Sequence, residues 1–396
     1  MILIMFYMFI LVVLPDSVEL VDKSLFTRET VLGPLGKVAL VFVAHDRPEC
    51  FRDSMASVFA ARGVEQVDVI VSMDYPAQFD VLESVVSEFA SFDNPVTIWY
   101  NVMPGGTLFF QTSDDRITYH HKLIFNRVFP DYDYAIIVES DLKVSPDIIE
   151  YMFSLGHLLH PDAPESDSLV CVSAWNDNGM DWFTLDESRL FRTDFFPGLG
   201  WMIHRSMWTD ILVHEWPGRI GNYAYDIWMR EGASTRKRHC IVSEVSRTHH
   251  FSKVGSQVSG NSYTWYDRML LASGTVPIPA EEIALVSSVA KYEERVKREA
   301  IENAKVVPFT NPFKIPFKQS IIVVVSDEIW RIRKMLGLTP LNYYKDVHEE
   351  IRTFNANRRA TYKGLHRVTI KETRYGGTNI TTINQSMLDC WGVLVN

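Results

Sequence analysis

The stretch YAIIVESD, from Tyr134 to Asp141, runs four apolar residues directly into Glu139, Ser140 and Asp141. An aspartate at the end of a buried strand is a hard oxygen donor. Mg2+ and Mn2+ use such donors sparingly, one or two carboxylates at a time, and fill their remaining positions with water and substrate phosphates. A site of that kind needs no dense cluster of ligating residues. The same triplet also serves as a solvated loop, or as a cap for the helix that opens near Pro146, and on its own it leaves these readings open.

Three further stretches are dense in Trp, Gly, Pro and acid: CVSAWNDNG (Cys171–Gly179), RTDFFPGLGW (Arg192–Trp201) and YDIWMR (Tyr225–Arg230). Gly198 and Gly200 suit close approach of the backbone to a ligand. Trp175, Trp201, Phe195 and Phe196 are candidates for walls on which a sugar stacks, although aromatic side chains more often fill cores.

The elements that must position these residues alternate. Buried strands are expected from Lys37, Val67, Val96, Tyr134 and Ser168, with amphipathic helices of ten or more residues between them. That order implies a mostly parallel sheet covered on both faces, with ligands outside the carboxyl ends of the strands. Several strands end in polar residues at that edge: His45-Asp46-Arg47, then Asp74, then Glu139-Ser140-Asp141, then Asn176-Asp177. Neither the GxGxxG fingerprint nor the GxxxxGK[ST] loop occurs, so phosphates must be held another way.

The 396 residues suffice for two domains. A net charge of −10 without a basic block argues against nucleic acid as partner. The apolar run MILIMFYMFILVVLP reads as a signal peptide or short membrane anchor over residues 1–15. Residues 16–36 read as a stem, 37–270 as the main domain, 271–319 as a linker with a charged helix running through PAEEIALVSSVAKYEERVKREAIENAKVV, and 320–396 as a smaller C-terminal α+β domain. The sequons at Asn379 and Asn384 agree with a secretory route. Of the four cysteines, Cys50, Cys171, Cys240 and Cys390, none forms a CxxC pattern, and one or two disulfides are open to them.

CVSAWNDNG, RTDFFPGLGW, DIWMR and SEVSRTHHF together resemble the inverting β-1,2-N-acetylglucosaminyltransferases of glycosyltransferase family 13, over about Val38 to Phe251. The resemblance implies an α/β GT-A fold, UDP-GlcNAc as donor and Mn2+ as cofactor. It implies Asp141 as metal ligand, with Glu139 and Ser140 beside the donor; the family's usual triplet is Glu-Asp-Asp, so Ser140 replaces its middle acid. It implies Arg47 near the nucleotide, Asp74 at the uracil, and His120, or Thr118 one gap away, as a nucleotide contact. Asp226 takes the place of the catalytic base, with an N-terminal helix cap as its alternative role, and Ile227 replaces the second acid of the family's W-D-D-W-M-R. Cys171 and Cys240 match a family disulfide. A second family pair maps to His45 and Tyr75, both lost together, and residues near Gly255–Gly260 match a loop over the donor.

The expected activity is transfer of GlcNAc to the 2-hydroxyl of a terminal mannose on a glycoprotein N-glycan. The expected setting is the Golgi membrane, single-pass type II, with the catalytic domain in the lumen. Two alternatives stand beside it: transfer to O-linked mannose, and a silent glycan-binding homologue, favoured by Ser140 and Ile227.

Overall fold

The computed structural model describes residues 35–74, 79–91, 95–101, 112–177, 179, 181, 186–193, 196–218, 225–231, 238–252, 266–301, 304–308, 321–325, 366–370 and 378–383. Its centre is an eight-stranded sheet in the order β3-β2-β1-β4-β8-β6-β9-β7. The first half comprises β1 (Val38–Ala44), β2 (Asp68–Asp74), β3 (Val96–Asn101) and β4 (Tyr134–Glu139), all parallel. The second half is mixed. β8 (Trp201–His204) lies antiparallel to both β4 and β6 (Leu169–Ser173), β9 (His239–Ser243) is parallel to β6, and β7 (Leu190–Thr193) is antiparallel to β9. This is the Rossmann-like, mostly parallel α/β sheet expected of the GT-A class.

The β-branched runs read as strands because both faces of the sheet are covered. Along β1, Val38, Leu40, Phe42 and Ala44 enter one core, while Ala39 and Val41 enter the other. This is the two-residue period of a pleated strand buried on both sides. The helices α1 (Pro48–Phe59), α2 (Phe79–Phe89) and α4 (Ile148–Gly156) cover the first face, and α3 (Ser113–Val128) the second. A π turn at Met207–Leu212 leads into α5 (Val213–Glu215), and α6 (Tyr225–Glu231) follows.

A two-stranded ribbon stands apart from the main sheet. β5 (Leu142–Val144) pairs antiparallel with β10 (Thr248–His250), setting His250 opposite Leu142. Gly200, at φ 93°, lets this ribbon close on the sheet: a Cβ there would lie 2.5 Å from Thr248 Cγ2. Its freedom therefore serves strand packing rather than a ligand.

Towards the C-terminus the expected single charged helix divides into α7 (Ala280–Val286) and α8 (Val289–Ile301), and the chain then turns extended as β11 (Ala304–Pro308). The β-branched Val306 and Val307 suit a strand that has a partner, and β11 pairs with β12 (Ile321–Val325). With β13 (His366–Ile370) and β14 (Thr378–Ile383) they form a four-stranded sheet in the order β11-β12-β14-β13. Asn379 falls on β14, which is paired on both sides, not in a loop. The N-terminal apolar run lies outside the described residues. Among the described residues no helix is long and apolar enough to cross a membrane.

Candidate active site

β1 has β2 on one side and β4 on the other, so the chain leaves it in opposite directions. In open α/β sheets the crevice at such a switch point, outside the carboxyl ends of the strands, is where ligands bind. The first parallel strands end there in Ala44, Asp74, Asn101 and Glu139.

Arg47 follows β1 and caps α1. It takes a left-handed conformation, φ 71° and ψ 62°, immediately before Pro48. Proline disfavours the helical conformation in the residue before it, and a non-glycine residue in this region carries strain of roughly 1–3 kcal/mol. From this turn Arg47 Nη1 donates to Asp141 Oδ2 at 2.7 Å and to Ser252 Oγ at 3.0 Å. His250 Nε2 lies 3.2 Å from the same Asp141 oxygen. Asp141 Oδ2 thus has a guanidinium and an imidazole as partners, while its Oδ1 is buried without a hydrogen bond from any described residue.

Burial pushes the Asp141 carboxyl up, but the hydrogen bond and charge of His250, with Arg47, outweigh it and hold it below the usual carboxylate range. An ionised, buried, acceptor-only oxygen requires a donor or a cation. Among the described residues there is no group of three or more ligating side chains. The unpartnered Oδ1 of Asp141 fits a hard divalent ion that takes one carboxylate oxygen and fills its other positions with phosphate and water.

Glu139 ends β4, and burial first, then the charge of Asp141, pushes its carboxyl well up; Asp226 contributes in the same direction. That coupling places Asp226 in the same electrostatic neighbourhood. Ser140 is buried between the two acids, its N–H bonded to Val43 O at 3.2 Å.

Asp226 is the second residue of α6 and about one-third exposed. Its Oδ2 is held at 2.9 Å by Arg230, one turn on, and Arg230 Nε donates to Phe196 O at 3.0 Å. The preceding Tyr225 is locked among rings: His121 at 4.0 Å, Trp216 at 5.7 Å and Trp201 at 6.4 Å between centroids. This anchor fixes the start of the helix and with it Asp226.

Asp74, at the end of β2, bonds His45 Nδ1 at 2.6 Å. His120, on α3, reaches Ser72 Oγ at 2.9 Å, within β2. Thr118 instead lies by the aromatic cluster, where its carbonyl accepts from Trp216 Nε1. Of the two, His120 is the one hydrogen-bonded to β2.

Some expectations change. Trp175, Trp201 and Phe196 are buried in the core and offer no open face for a sugar. A Cβ at Gly198 would lie 3.6 Å from Phe196 Cε1, and the Gly198 carbonyl accepts from Ser173 Oγ at 3.0 Å. Cys171 and Cys240 are joined in a disulfide between neighbouring β6 and β9, and Cys50 is free. Phe195, Tyr75, Cys390 and the loop at 255–260 lie outside the described residues. Sequence reasoning passed over His250, although the adjacent histidines of SRTHHF were in view. Its role depends on the β5–β10 register.

The model of the GNT-I family matches residues 11–286, from the apolar N-terminal run to the end of α7. The chain belongs to the GNT-I family. Within the reach of this GNT-I match lie Arg47, Asp74, His120, Glu139, Ser140, Asp141 and Asp226. The alpha-1,3-mannosyl-glycoprotein 2-beta-N-acetylglucosaminyltransferase of Arabidopsis thaliana is 27% identical over 308 residues, covering 73% of this chain and 64% of that protein. The chain thus matches just under two thirds of that relative's length. The mannosyltransferase PcManGT from Pyrobaculum calidifontis, in complex with GDP-Man and Mn2+, superposes with a TM-score of 0.32 at 12% identity, over 47% of this chain and 50% of that one. S. aureus TarS 1–349 gives 0.34 at 8% identity, over 55% and 61%. Likenesses at this level carry no weight for the fold, which rests on the sheet itself.

Proposed function

We propose that this GNT-I family member is an inverting transferase. It moves GlcNAc from UDP-GlcNAc to the 2-hydroxyl of a terminal α-mannose of an N-glycan, forming a β-1,2 linkage with Mn2+ as cofactor. The observation that carries this reading is the buried Oδ1 of an ionised Asp141, without a partner among the described residues, beside Arg47 at the switch point of the sheet.

Asp141 would hold the metal, and when bound the ion neutralises negative charge developing on the departing diphosphate. Arg47 adds a guanidinium on the same side. Asp74 and His120 meet the nucleotide, and Glu139 and Ser140 face the donor sugar. Asp226 accepts the proton from the mannose 2-hydroxyl as that oxygen attacks the anomeric carbon. The new C–O bond forms as the bond from that carbon to the phosphate oxygen breaks, UDP leaves with the electron pair, and the configuration inverts in one step. Arg230 keeps the Asp226 carboxylate oriented during the transfer.

We further place this domain in the Golgi lumen, behind an N-terminal membrane anchor. The Cys171–Cys240 disulfide supports an oxidising compartment. The direct test is a transfer assay with UDP-GlcNAc and Mn2+, offering a mannose-terminated N-glycan and an O-mannosyl peptide side by side. β-1,2 transfer to the N-glycan is expected. Transfer to the peptide alone would move the acceptor to O-mannose, and no Mn2+-dependent turnover of the donor would overturn the enzyme reading.

A further inference from the structure

His120 is 2% exposed, and its Nε2 lies 2.9 Å from Ser72 Oγ and 3.2 Å from Asn101 Nδ2. Asn101 Nδ2 also lies 2.7 Å from Ser72 Oγ and 3.1 Å from the carbonyl oxygen of Met73. A carbonyl oxygen only accepts, so the Asn101 atom facing it is the amide nitrogen, a donor. That nitrogen has no lone pair to offer His120, so Nε2 of His120 must be the acceptor. Ser72 accepts from Asn101 and gives its own hydroxyl proton to Nε2. The proton of the neutral ring is then on Nδ1, and no described residue hydrogen-bonds Nδ1. Close by, Asp74 has Oδ1 tied to His45 at 2.6 Å, while no described residue hydrogen-bonds its Oδ2.

We propose that Ser72 and Asn101 are positioning residues: they hold His120 as a fixed Nδ1–H donor near the Asp74 acceptor, and this clamp on the ring sharpens the choice of uracil over cytosine. The inference rests on the UDP-sugar reading above. Uracil offers an N3–H donor flanked by two carbonyl acceptors, which matches an acceptor next to a donor. Cytosine offers an N3 acceptor next to an amino donor, so like would face like. Without the clamp, the ring is free to move its proton to Nε2 and present a lone pair to the uracil carbonyl. Burial pulls His120 down to about 4, so the doubly protonated ring does not substitute at neutral pH. Ser72, within β2, and Asn101, at the end of β3, are themselves buried, which makes the clamp rigid.

The test measures binding of UDP and CDP with Mn2+ by calorimetry on the whole chain, for wild type, Ser72→Ala, Asn101→Ala and the double variant. Spectra of 15N-histidine-labelled protein, with His120→Gln to assign the signal, report which ring nitrogen carries the proton. Wild type should show the proton on Nδ1 of His120. The double variant should shift it towards Nε2 and lower the UDP-over-CDP preference about tenfold, the scale of one lost or mismatched hydrogen bond. Each single variant removes half of the clamp and should move both readouts the same way by less, which keeps the test usable if the double variant does not fold. A wild-type proton on Nε2, or a preference unchanged in the variants, overturns the clamp. A wild-type chain that binds neither nucleotide overturns the UDP-sugar reading and with it the selection, whereas the spectrum still judges the tautomer.

Discussion

Arg47 Nη1 lies 2.7 Å from Oδ2 of Asp141 and leaves the other carboxylate oxygen buried, with no partner among the described residues. The two residues follow β1 and β4, the neighbouring strands at which the sheet reverses its order. The strained backbone of Arg47 and the low proton affinity of Asp141 have the same consequence: a fixed negative oxygen with no partner among the described residues. This is the relationship on which the proposed donor site is built.

Asp226→Asn should lower kcat by roughly 10²–10⁴-fold, the range of a positioned base, and leave the KM for UDP-GlcNAc within a few-fold. Asparagine keeps an oxygen for Arg230 but cannot take the acceptor's proton. Steady-state kinetics with a mannose-terminated acceptor checks this, and a wild-type kcat would remove Asp226 from the reaction.

Stability should fall on acidification. Burial pulls His120 down to about 4 and His121 to about 3, so both are neutral in the folded chain at pH 6. In the unfolded chain a histidine takes up a proton near pH 6.5. Between about 6.5 and 4 the unfolded state therefore binds more protons than the fold. The contribution is fully present above pH 6.5 and is lost as pH drops, by up to about 1.4 kcal/mol per pH unit per histidine. Thermal unfolding at pH 7 and pH 5 should show the drop. His121→Phe, which keeps the ring against Tyr225, should flatten it.

Gly200→Ala should destabilise the chain by about 1–3 kcal/mol, because the added methyl group meets Thr248 in a left-handed backbone. Thr248→Ser removes the Cγ2 in the way while keeping a hydroxyl for Leu199 O. Combined with Gly200→Ala, it should recover part of the lost Tm. No recovery would mean that the cost is purely conformational.

Replacing Cys171 and Cys240 by serine opens a loop of sequence separation 69 and should cost about 2–4 kcal/mol. Adding reductant should lower the Tm of the oxidised wild type towards that of the double-serine variant, and a Tm insensitive to both changes would contradict a stabilising role.

The parallel half of the sheet was legible because each buried strand is a short β-branched run ending in a polar residue, as YAIIVESD shows. The same pattern put Arg47, Asp74, Glu139 and Asp141 at one edge. His250 was not legible, since nothing in SRTHHF says that its strand turns back antiparallel onto the residues just after Asp141. Trp175 and Trp201 misled for a related reason: an aromatic residue in a Gly- and acid-rich segment reads the same whether it lines a cleft or fills the core beneath it. The strand at Ala304–Pro308 was hidden behind the charged helix before it, because its extended form depends on pairing with Ile321–Val325.

The most direct test of the central claim is a titration of Mn2+ into the chain with UDP present, followed by electron paramagnetic resonance, for wild type and Asp141→Asn. The unpartnered oxygen of Asp141 should give wild type one bound Mn2+ per chain, and the amide should weaken it at least tenfold while Tm stays within a few degrees. Equal Mn2+ affinity in the two proteins would contradict the account.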